Sequence, residues 1–163
     1  MTTQTKPRSE AKVVVERTYK ASLQDVWDLW TTKDGFESWW GPQGFRADVH
    51  ELDARVGGTL RYDMVANTPE TIAAMKQMGG PTSHKTHARF SALVPRERLV
   101  ITSVIDFLPG VSAYETDIAV DFAAIGNSVR MIVTLDGLHN DEFTKMQKEG
   151  FTSQLTKLDK RFA

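Results

Sequence analysis

The chain is organised around two neighbouring segments, Ser22-Leu-Gln-Asp-Val-Trp-Asp-Leu-Trp-Thr31 and Asp34-Gly-Phe-Glu-Ser-Trp-Trp-Gly-Pro42, which contain all four of its tryptophans. Ser22 is placed to cap a helix, and Asp25 stands three residues later, as in a short capping box. Apolar side chains then recur at helical spacing and form one stripe: Leu23, Val26, Trp27 and Trp30. The second segment predicts a further helical turn that ends at Gly41-Pro42. Two short helices are therefore expected in the first third of the chain.

The composition is typical of a globular domain without a charged partner. The chain has 163 residues, of which 40% are hydrophobic, and a formal net charge of −1. Because neither sign of charge dominates, nucleic acid and membrane surfaces are not expected as partners. There is no cysteine, which excludes disulfides and thiolate metal sites. No apolar run approaches the roughly 20 residues of a membrane span, so a cytoplasmic location is the default expectation.

Alternating apolar residues predict strands through most of the chain. A β-branched first strand is expected at 12–20, after a frayed tail at 1–11. Six further segments have strand patterns: 45–52, 59–65, 88–94, 99–105, 114–122 and 129–135. Segment 99–105 is apolar on both faces, as expected of a central strand. Residues 66–86 interrupt the pattern with a predicted helical insertion, opened by a capping threonine at Thr68. We expect residues 12–163 to form one domain.

A helix of about 20 residues is predicted at the C-terminal end. Asn140 is placed to cap it, and Asp141 and Glu142 suit the positive end of its dipole. Its apolar stripe consists of Phe143, Met146, Gly150, Phe151, Leu155, Leu158 and Phe162. An antiparallel sheet with one apolar face needs a cover, and this helix supplies it. We therefore expect an α+β fold with about six or seven antiparallel strands.

This order of elements, together with several short motifs, resembles the helix-grip fold of the START/polyketide-cyclase (SRPBCC) superfamily. Within it, the chain is similar to the AHSA-like branch, the homologues of activators of heat-shock-chaperone ATPase. The resemblance covers about residues 12 to 162 and is carried by Ala21–Trp30, Trp39–Pro42, Val56–Met64, Pro95–Leu99 and the glycine of Glu149-Gly-Phe. It implies a curved antiparallel sheet wrapped on the C-terminal helix, with a cavity between them.

The chain departs from the family pattern at two positions. Phe151 stands where the family often has tryptophan, and Ser103 stands where it often has an aromatic residue. Both changes remove bulk, so they enlarge or reshape the cavity if the two side chains face inward. The insertion at 66–86 is placed to cover the mouth of such a cavity.

The implied ligand is a small hydrophobic molecule with one or two polar handles. The residues expected to contact it are Trp39, Trp40, Tyr62, Met64, Phe90, Ser103, Ile105, Phe107, Thr116 and Phe151. Trp39 and Trp40 are adjacent and cannot both point inward from a helix, so one is expected to pack and the other to lie near the entrance. Met75 and Met78 suit an adaptable lid. Two alternatives stay open: the inward residues fill a solid core, and the insertion is a surface helix docked by Ile72 alone.

No catalytic or metal-binding motif is complete in the sequence. His84 and His87 lie three residues apart, a spacing that does not bring two imidazoles together on a strand, so neither a metal nor a cofactor is expected. Asp106, at the edge of the expected cavity, and Tyr62 are the first candidates for acid–base chemistry, although a loop-capping role for Asp106 is the preferred interpretation.

Three functions therefore compete. The leading hypothesis is a binding protein for a small hydrophobic ligand. The alternatives are a cyclase, dehydratase or hydrolase that uses the same cavity, and a chaperone-associated interaction module, which follows from the name of the branch alone. A homodimer formed through an edge strand of the sheet is a further expectation.

Overall fold

The computed structural model describes residues 12–106, 110, 112–137 and 141–163. Its elements, in chain order, are β1 (Val13–Tyr19), α1 (Leu23–Thr31), α2 (Lys33–Glu37), β2 (Phe45–Leu52), β3 (Thr59–Ala66), α3 (Pro69–Gln77), β4 (Ser83–Val94), β5 (Arg98–Ile105), β6 (Tyr114–Ile125), β7 (Ser128–Leu135) and α4 (Asp141–Arg161). The expected tail at 1–11, the ligand candidate Phe107 and the capping Asn140 lie outside the described residues.

The seven strands form one antiparallel sheet in the order β1-β7-β6-β5-β4-β3-β2. β5 is the middle strand, in agreement with its two apolar faces. The sheet curls into a half-barrel, and the α+β helix-grip fold predicted from the sequence is confirmed. β1 and β2 stand at its two edges, and a homodimer through either edge stays a prediction. No helix in the described ranges is both long and apolar enough to cross a membrane.

Local hydrogen bonds at the helix starts follow from the sequence. The Ser22 hydroxyl accepts a hydrogen bond from the Asp25 backbone amide at 3.0 Å and caps α1. Thr68 and Thr71 form a capping box at the start of α3. These caps satisfy amide groups that have no partner inside the helix, so they fix where each helix begins.

The interruption of the strand pattern is shorter than the expected 66–86. β3 continues to Ala66 and β4 begins at Ser83, so the connection covers residues 67–82. The difference arises because the first part of β4 is polar, with the sequence Ser83-His-Lys-Thr-His87, and lacks the apolar alternation that identifies a strand. It is held in the sheet by pairing with β3, where His84 lies opposite Met64.

The two halves of α4 pack differently. In the C-terminal half, Phe151, Leu155 and Leu158 are buried in the main core. In the N-terminal half, the Phe143 side chain is only half-buried and Met146 is 59% exposed. The hydrophobic core therefore fills the space beneath one half of the helix and leaves the other half less tightly packed.

The loop that follows Trp39 and Trp40, the second tryptophan pair, is joined to α4 by hydrogen bonds. The Gly41 amide donates to Gln154 Oε1 at 2.9 Å, and the Gln43 amide donates to the Ser153 hydroxyl at 3.0 Å. The Lys157 ammonium donates to the Gly41 carbonyl at 2.7 Å. Because these bonds join residues more than 100 positions apart, they set the position of α4 against the start of β2.

Candidate functional site

A cavity of about 820 Å³ lies between the sheet and the N-terminal half of α4. Strands β3 to β7 provide one wall, and side chains of α4 from Phe143 to Gln154 provide the other. α3 and the loop that follows it form part of the rim. The lining is predominantly apolar, and the volume falls within the roughly 300–1,000 Å³ that is usual for small-molecule sites.

Most of the residues expected to contact a ligand line this cavity. They are Trp40, Tyr62, Met64, Ser103, Ile105, Thr116 and Phe151, together with the two lid candidates Met75 and Met78. Trp39 and Phe90 do not line it. α3 has no fully buried residue, and its Ile72 is half-buried. It is therefore a surface helix that also contributes Met75 to the cavity.

One tryptophan of the pair packs in the core and the other borders the cavity, as expected, but the premise that both cannot point inward is wrong. Their side chains are 0% and 6% exposed. α2 ends before them at Glu37, and both of their backbone amides donate to the Phe36 carbonyl in a tight turn. The turn directs the two rings into different parts of the interior. Trp39 donates from Nε1 to the Leu29 carbonyl at 2.8 Å and belongs to the core, whereas Trp40 reaches the cavity.

Phe90 is fully buried in the core and does not border the open space. Alternation along β4 correctly assigns it to the inner face of the sheet. It lies opposite Ile101, however, in the same core cluster as Leu155 and Leu158 of α4. The expected ligand contact therefore fails because alternation gives the face of a strand and not the position along it.

The two candidate acid–base residues have different environments. The Tyr62 hydroxyl accepts a hydrogen bond from Trp40 Nε1 at 2.9 Å, and burial raises its pKa, so the phenol stays protonated at neutral pH. Asp106 is not part of the lining, and its side chain is 53% exposed. Its carboxylate lies 3.5 Å from Nε2 of His84, which does line the cavity. The aspartate therefore sits at the rim, and its proposed role in capping the next loop falls outside the described residues.

His84 and His87 lie on opposite sides of β4. His84 lines the cavity, whereas His87 lines a separate groove beside His50 and Asp63, because three-residue spacing alternates sides on a strand. The His50 and Asp63 side chains approach to 3.1 Å. Within the described ranges, no group of three or more His, Asp or Glu residues is arranged to hold a metal ion.

Two glutamines of α4 contribute polar groups that sequence reasoning missed. Gln147 and Gln154 both line the cavity. In the described part of the chain, Oε1 of Gln147 and Nε2 of Gln154 are buried and have no hydrogen-bond partner. Their positions in the sequence could have identified them, because Gln147 follows Phe143 by four residues and Gln154 follows Gly150 by four. They therefore share the face of the apolar stripe.

Gly150 also lines the cavity, between the two glutamines. A Cβ atom added at this position would meet no atom within 4 Å. The helical Gly35 is different, because a Cβ there would lie 2.1 Å from the Asp28 carbonyl oxygen. Packing within the described protein therefore explains the glycine at 35 and not the one at 150, where the backbone of α4 faces open space.

Comparison with known proteins supports the architecture. The family model described as Activator of Hsp90 ATPase homolog 1-like protein matches residues 20–163. No protein of curated function matches the chain. A crystal structure of a protein from Chromobacterium violaceum is 23% identical, with a TM-score of 0.73 over 93% of this chain and 96% of that one.

Two further solved structures are similar. The AHSA1 protein from Silicibacter pomeroyi is 20% identical, with a TM-score of 0.70 over 91% of this chain and 94% of its own. An AHSA1-like protein from Aeromonas hydrophila is 19% identical, with a TM-score of 0.66 over 90% and 88%. At these identities the likeness concerns the fold.

Proposed function

The chain belongs to the family of Activator of Hsp90 ATPase homolog 1-like proteins, and from this membership we propose that it binds a small hydrophobic molecule between the sheet and α4. The observation that carries the proposal is the cavity of about 820 Å³, with predominantly apolar walls. Filling it would remove apolar surface from water, which contributes about 25 cal/mol per Å².

The methionine side chains around the cavity support binding of molecules of different shapes. Four of the six methionines in the chain line the cavity: Met64, Met75, Met78 and Met146. Met78 is 79% exposed and Met146 is 59% exposed. Methionine is flexible and polarisable, so exposed methionines can fold over ligands of different shape. The lid formed by Met75 and Met78 is part of the proposal.

The alternative functions have less support. The inward-facing phenol of Tyr62 accepts a hydrogen bond from Trp40, and burial raises its pKa, which disfavours its ionised form. The His84–Asp106 pair at the rim is the remaining acid–base candidate for the enzyme alternative. The chaperone-associated role rests on the family description alone, and recovery of a chaperone in a pull-down from cell extract would support it. A cytoplasmic location belongs to the proposal and can be checked by cell fractionation.

The proposal is tested by titrating the protein with Nile red, a neutral apolar dye whose emission increases away from water. Saturable binding with a rise in Tm is expected, because a ligand that binds only the folded state stabilises it. Gly150→Leu should lose at least about tenfold in affinity, since its Cβ meets no atom within 4 Å and the rest of the side chain would occupy the open space.

Glu149→Leu is the matched control, because it introduces the same side chain at the neighbouring, exposed position of α4. It should bind the dye as the wild type does. Failure of Nile red, fatty alcohols, sterols and tricyclic aromatics to bind the wild type would refute the proposal. Equal affinity of the wild type and Gly150→Leu would place binding outside this cavity.

A further inference from the structure

The most deeply buried amide group in the cavity wall belongs to Gln154. Its side chain is 4% exposed, although glutamine normally lies at the surface. It follows Phe151 on α4 and lines the same cavity. A polar side chain at such a depth requires hydrogen-bond partners for both ends of its amide.

Among the residues that the structure describes, one end of this amide has a partner and the other has none. Oε1 accepts the hydrogen bond from the Gly41 backbone amide at 2.9 Å. Because a backbone N–H can only donate, the oxygen of the amide must face Gly41, and this settles which end is the nitrogen. Nε2 is therefore the donor end of a side chain that lines the cavity, and it has no acceptor within the described ranges.

An unpaired buried donor destabilises the protein, because it has lost its hydrogen bond to water and gained none in return. A ligand that supplies an acceptor to Nε2 would remove this cost, and one that supplies only apolar surface would retain it. The orientation of the donor is fixed before binding by the Gly41 bond, so little ordering is required. Such a site would discriminate between ligands by the presence of an acceptor.

The neighbourhood of Gln154 leaves room for such a group. Gly150, one turn earlier on the same face of α4, has no side chain, and the space beside its Cα is open. Gln147, a further turn away, presents a second buried and unpartnered polar atom, Oε1. The two glutamines are seven residues apart, which corresponds to about 10 Å along the helix.

The charge of the lining favours a neutral ligand. Among the described lining residues there is no lysine or arginine, and the titratable ones are Tyr62 and His84. His84 already faces the Asp106 carboxylate at 3.5 Å. Lys157 is not part of the lining, and its ammonium donates to the carbonyls of Gly41 and Phe45. A buried ligand carboxylate would therefore lack a counter-ion, which is costly in an apolar cavity.

From this geometry we infer that the ligand is a neutral, largely apolar molecule with a carbonyl or hydroxyl oxygen, which accepts a hydrogen bond from Nε2 of Gln154. The inference rests on the proposed function, because it assigns a chemical class to the ligand of that cavity. Gln154 is then the residue that determines specificity, and the Gly41 amide orients its side chain.

The test uses three probes with one tricyclic skeleton: fluorene, 9-fluorenone and fluorene-9-carboxylate. Their dissociation constants are measured by displacement of Nile red, corrected for the affinity of each variant for the dye. The wild type should bind fluorenone about three- to tenfold more tightly than fluorene, as one additional hydrogen bond predicts, and the carboxylate most weakly.

Gln154→Met keeps the length of the side chain and removes the donor, so it should bind fluorenone and fluorene equally. Gln24→Met, the same change at an exposed position of α1, should keep the wild-type preference. If Gln154→Met does not fold, Gln154→Glu serves instead. It retains an oxygen for the Gly41 amide, and because burial raises the pKa of a carboxyl, the probes are compared over rising pH. The preference should be lost once the carboxylate is ionised and offers no donor.

The outcomes separate this inference from the proposed function. Equal binding of fluorene and fluorenone by the wild type, or a preference that survives both substitutions at Gln154, overturns the inference and leaves hydrophobic binding intact. Failure of the wild type to bind Nile red, the fatty alcohols, the sterols and all the tricyclic probes overturns both.

Discussion

The backbone amide of Gly41 donates a hydrogen bond to Oε1 of Gln154 over 2.9 Å, and so connects the second tryptophan pair to the wall of the cavity. Gly41 has a φ of 109°, a conformation that residues with a Cβ rarely adopt. Its side of the chain is also crowded, since a Cβ would lie 3.1 Å from both Met64 Sδ and the Phe45 carbonyl oxygen. The position is therefore constrained by conformation, packing and hydrogen bonding together.

Gly41→Ala should lower the free energy of unfolding by about 1–3 kcal/mol, because it combines backbone strain with the close contacts at Met64 and Phe45. Urea-induced unfolding measures the loss. Gly57→Ala is the control, because Gly57 also has a positive φ, of 83°, but has no neighbour within 4 Å of the added Cβ. A loss at position 41 no larger than that at 57 would mean that the contacts contribute nothing.

Tyr62→Phe should destabilise the protein by about 1–3 kcal/mol, because it leaves the buried Trp40 Nε1–H without its acceptor. The double variant Trp40→Phe/Tyr62→Phe should lose less than the sum of the two single changes, since it removes both partners of the bond. Chemical unfolding of the four proteins completes the cycle. Strict additivity would show that the 2.9 Å contact carries no coupling energy.

Gly150→Ala should raise the free energy of unfolding of the ligand-free protein by about 0.5–1 kcal/mol, because alanine favours the helix and its Cβ meets no atom within 4 Å. Gly35→Ala, at the other helical glycine discussed above, should destabilise, since its Cβ would meet the Asp28 carbonyl. Thermal and urea unfolding measure both variants. Destabilisation by Gly150→Ala would contradict the open space assigned to that face of α4.

The stability of the protein should fall as the pH rises above about 10. Burial raises the pKa of Tyr62, and burial together with the hydrogen bond to Asp159 raises that of Tyr19. The unfolded chain loses these protons near the usual pKa of 10.0 while the folded protein keeps them, so the folded state binds more protons in this range. The expected slope is at most about 1.4 kcal/mol per pH unit for each tyrosine.

Urea unfolding from about pH 8 to about pH 11 measures this slope. Tyr19→Phe should reduce it, because one of the two tyrosines no longer titrates. Desolvation lowers the pKa of Lys157, which acts with the opposite sign: the folded protein loses that proton first, and stability rises with pH just below 10.5. A slope that is unchanged in Tyr19→Phe would show that the phenol does not contribute.

The elements of the fold were predictable because they depend on local patterns. Ser22 and Thr68 begin their helices by the hydrogen bonds that their side chains permit, and alternation identifies the strands. β5 was recognisable as central because both of its faces are apolar. The start of β4 was not, because Ser83–His87 is polar and its place in the sheet depends on pairing with β3.

The sequence predicted which side chains face the interior, but not how far the cavity extends along the strands. Ile105 and Phe90 both point inward from neighbouring strands, yet one borders the cavity and the other is core. The C-terminal half of α4 packs in the same core as Phe90, whereas Ile105 borders the cavity beside the N-terminal half. This difference depends on packing between distant parts of the chain. Gln154 was missed for a similar reason. Glutamine side chains are normally solvent-exposed, so the sequence gives no sign that this one is buried. It is buried here because a loop more than 100 residues earlier in the chain supplies the Gly41 amide.

The close grouping of three tryptophans has an optical consequence. The ring centroid of Trp30 lies 5.0 Å from that of Trp39 and 5.5 Å from that of Trp40, and the latter two are 5.1 Å apart. Indoles at such distances transfer excitation energy to one another before they emit. The emission therefore depends on the surroundings of all three rings, whichever of them absorbs the light. Because Trp40 borders the cavity, we expect a molecule that enters it to change the intrinsic fluorescence of the protein, without any added label.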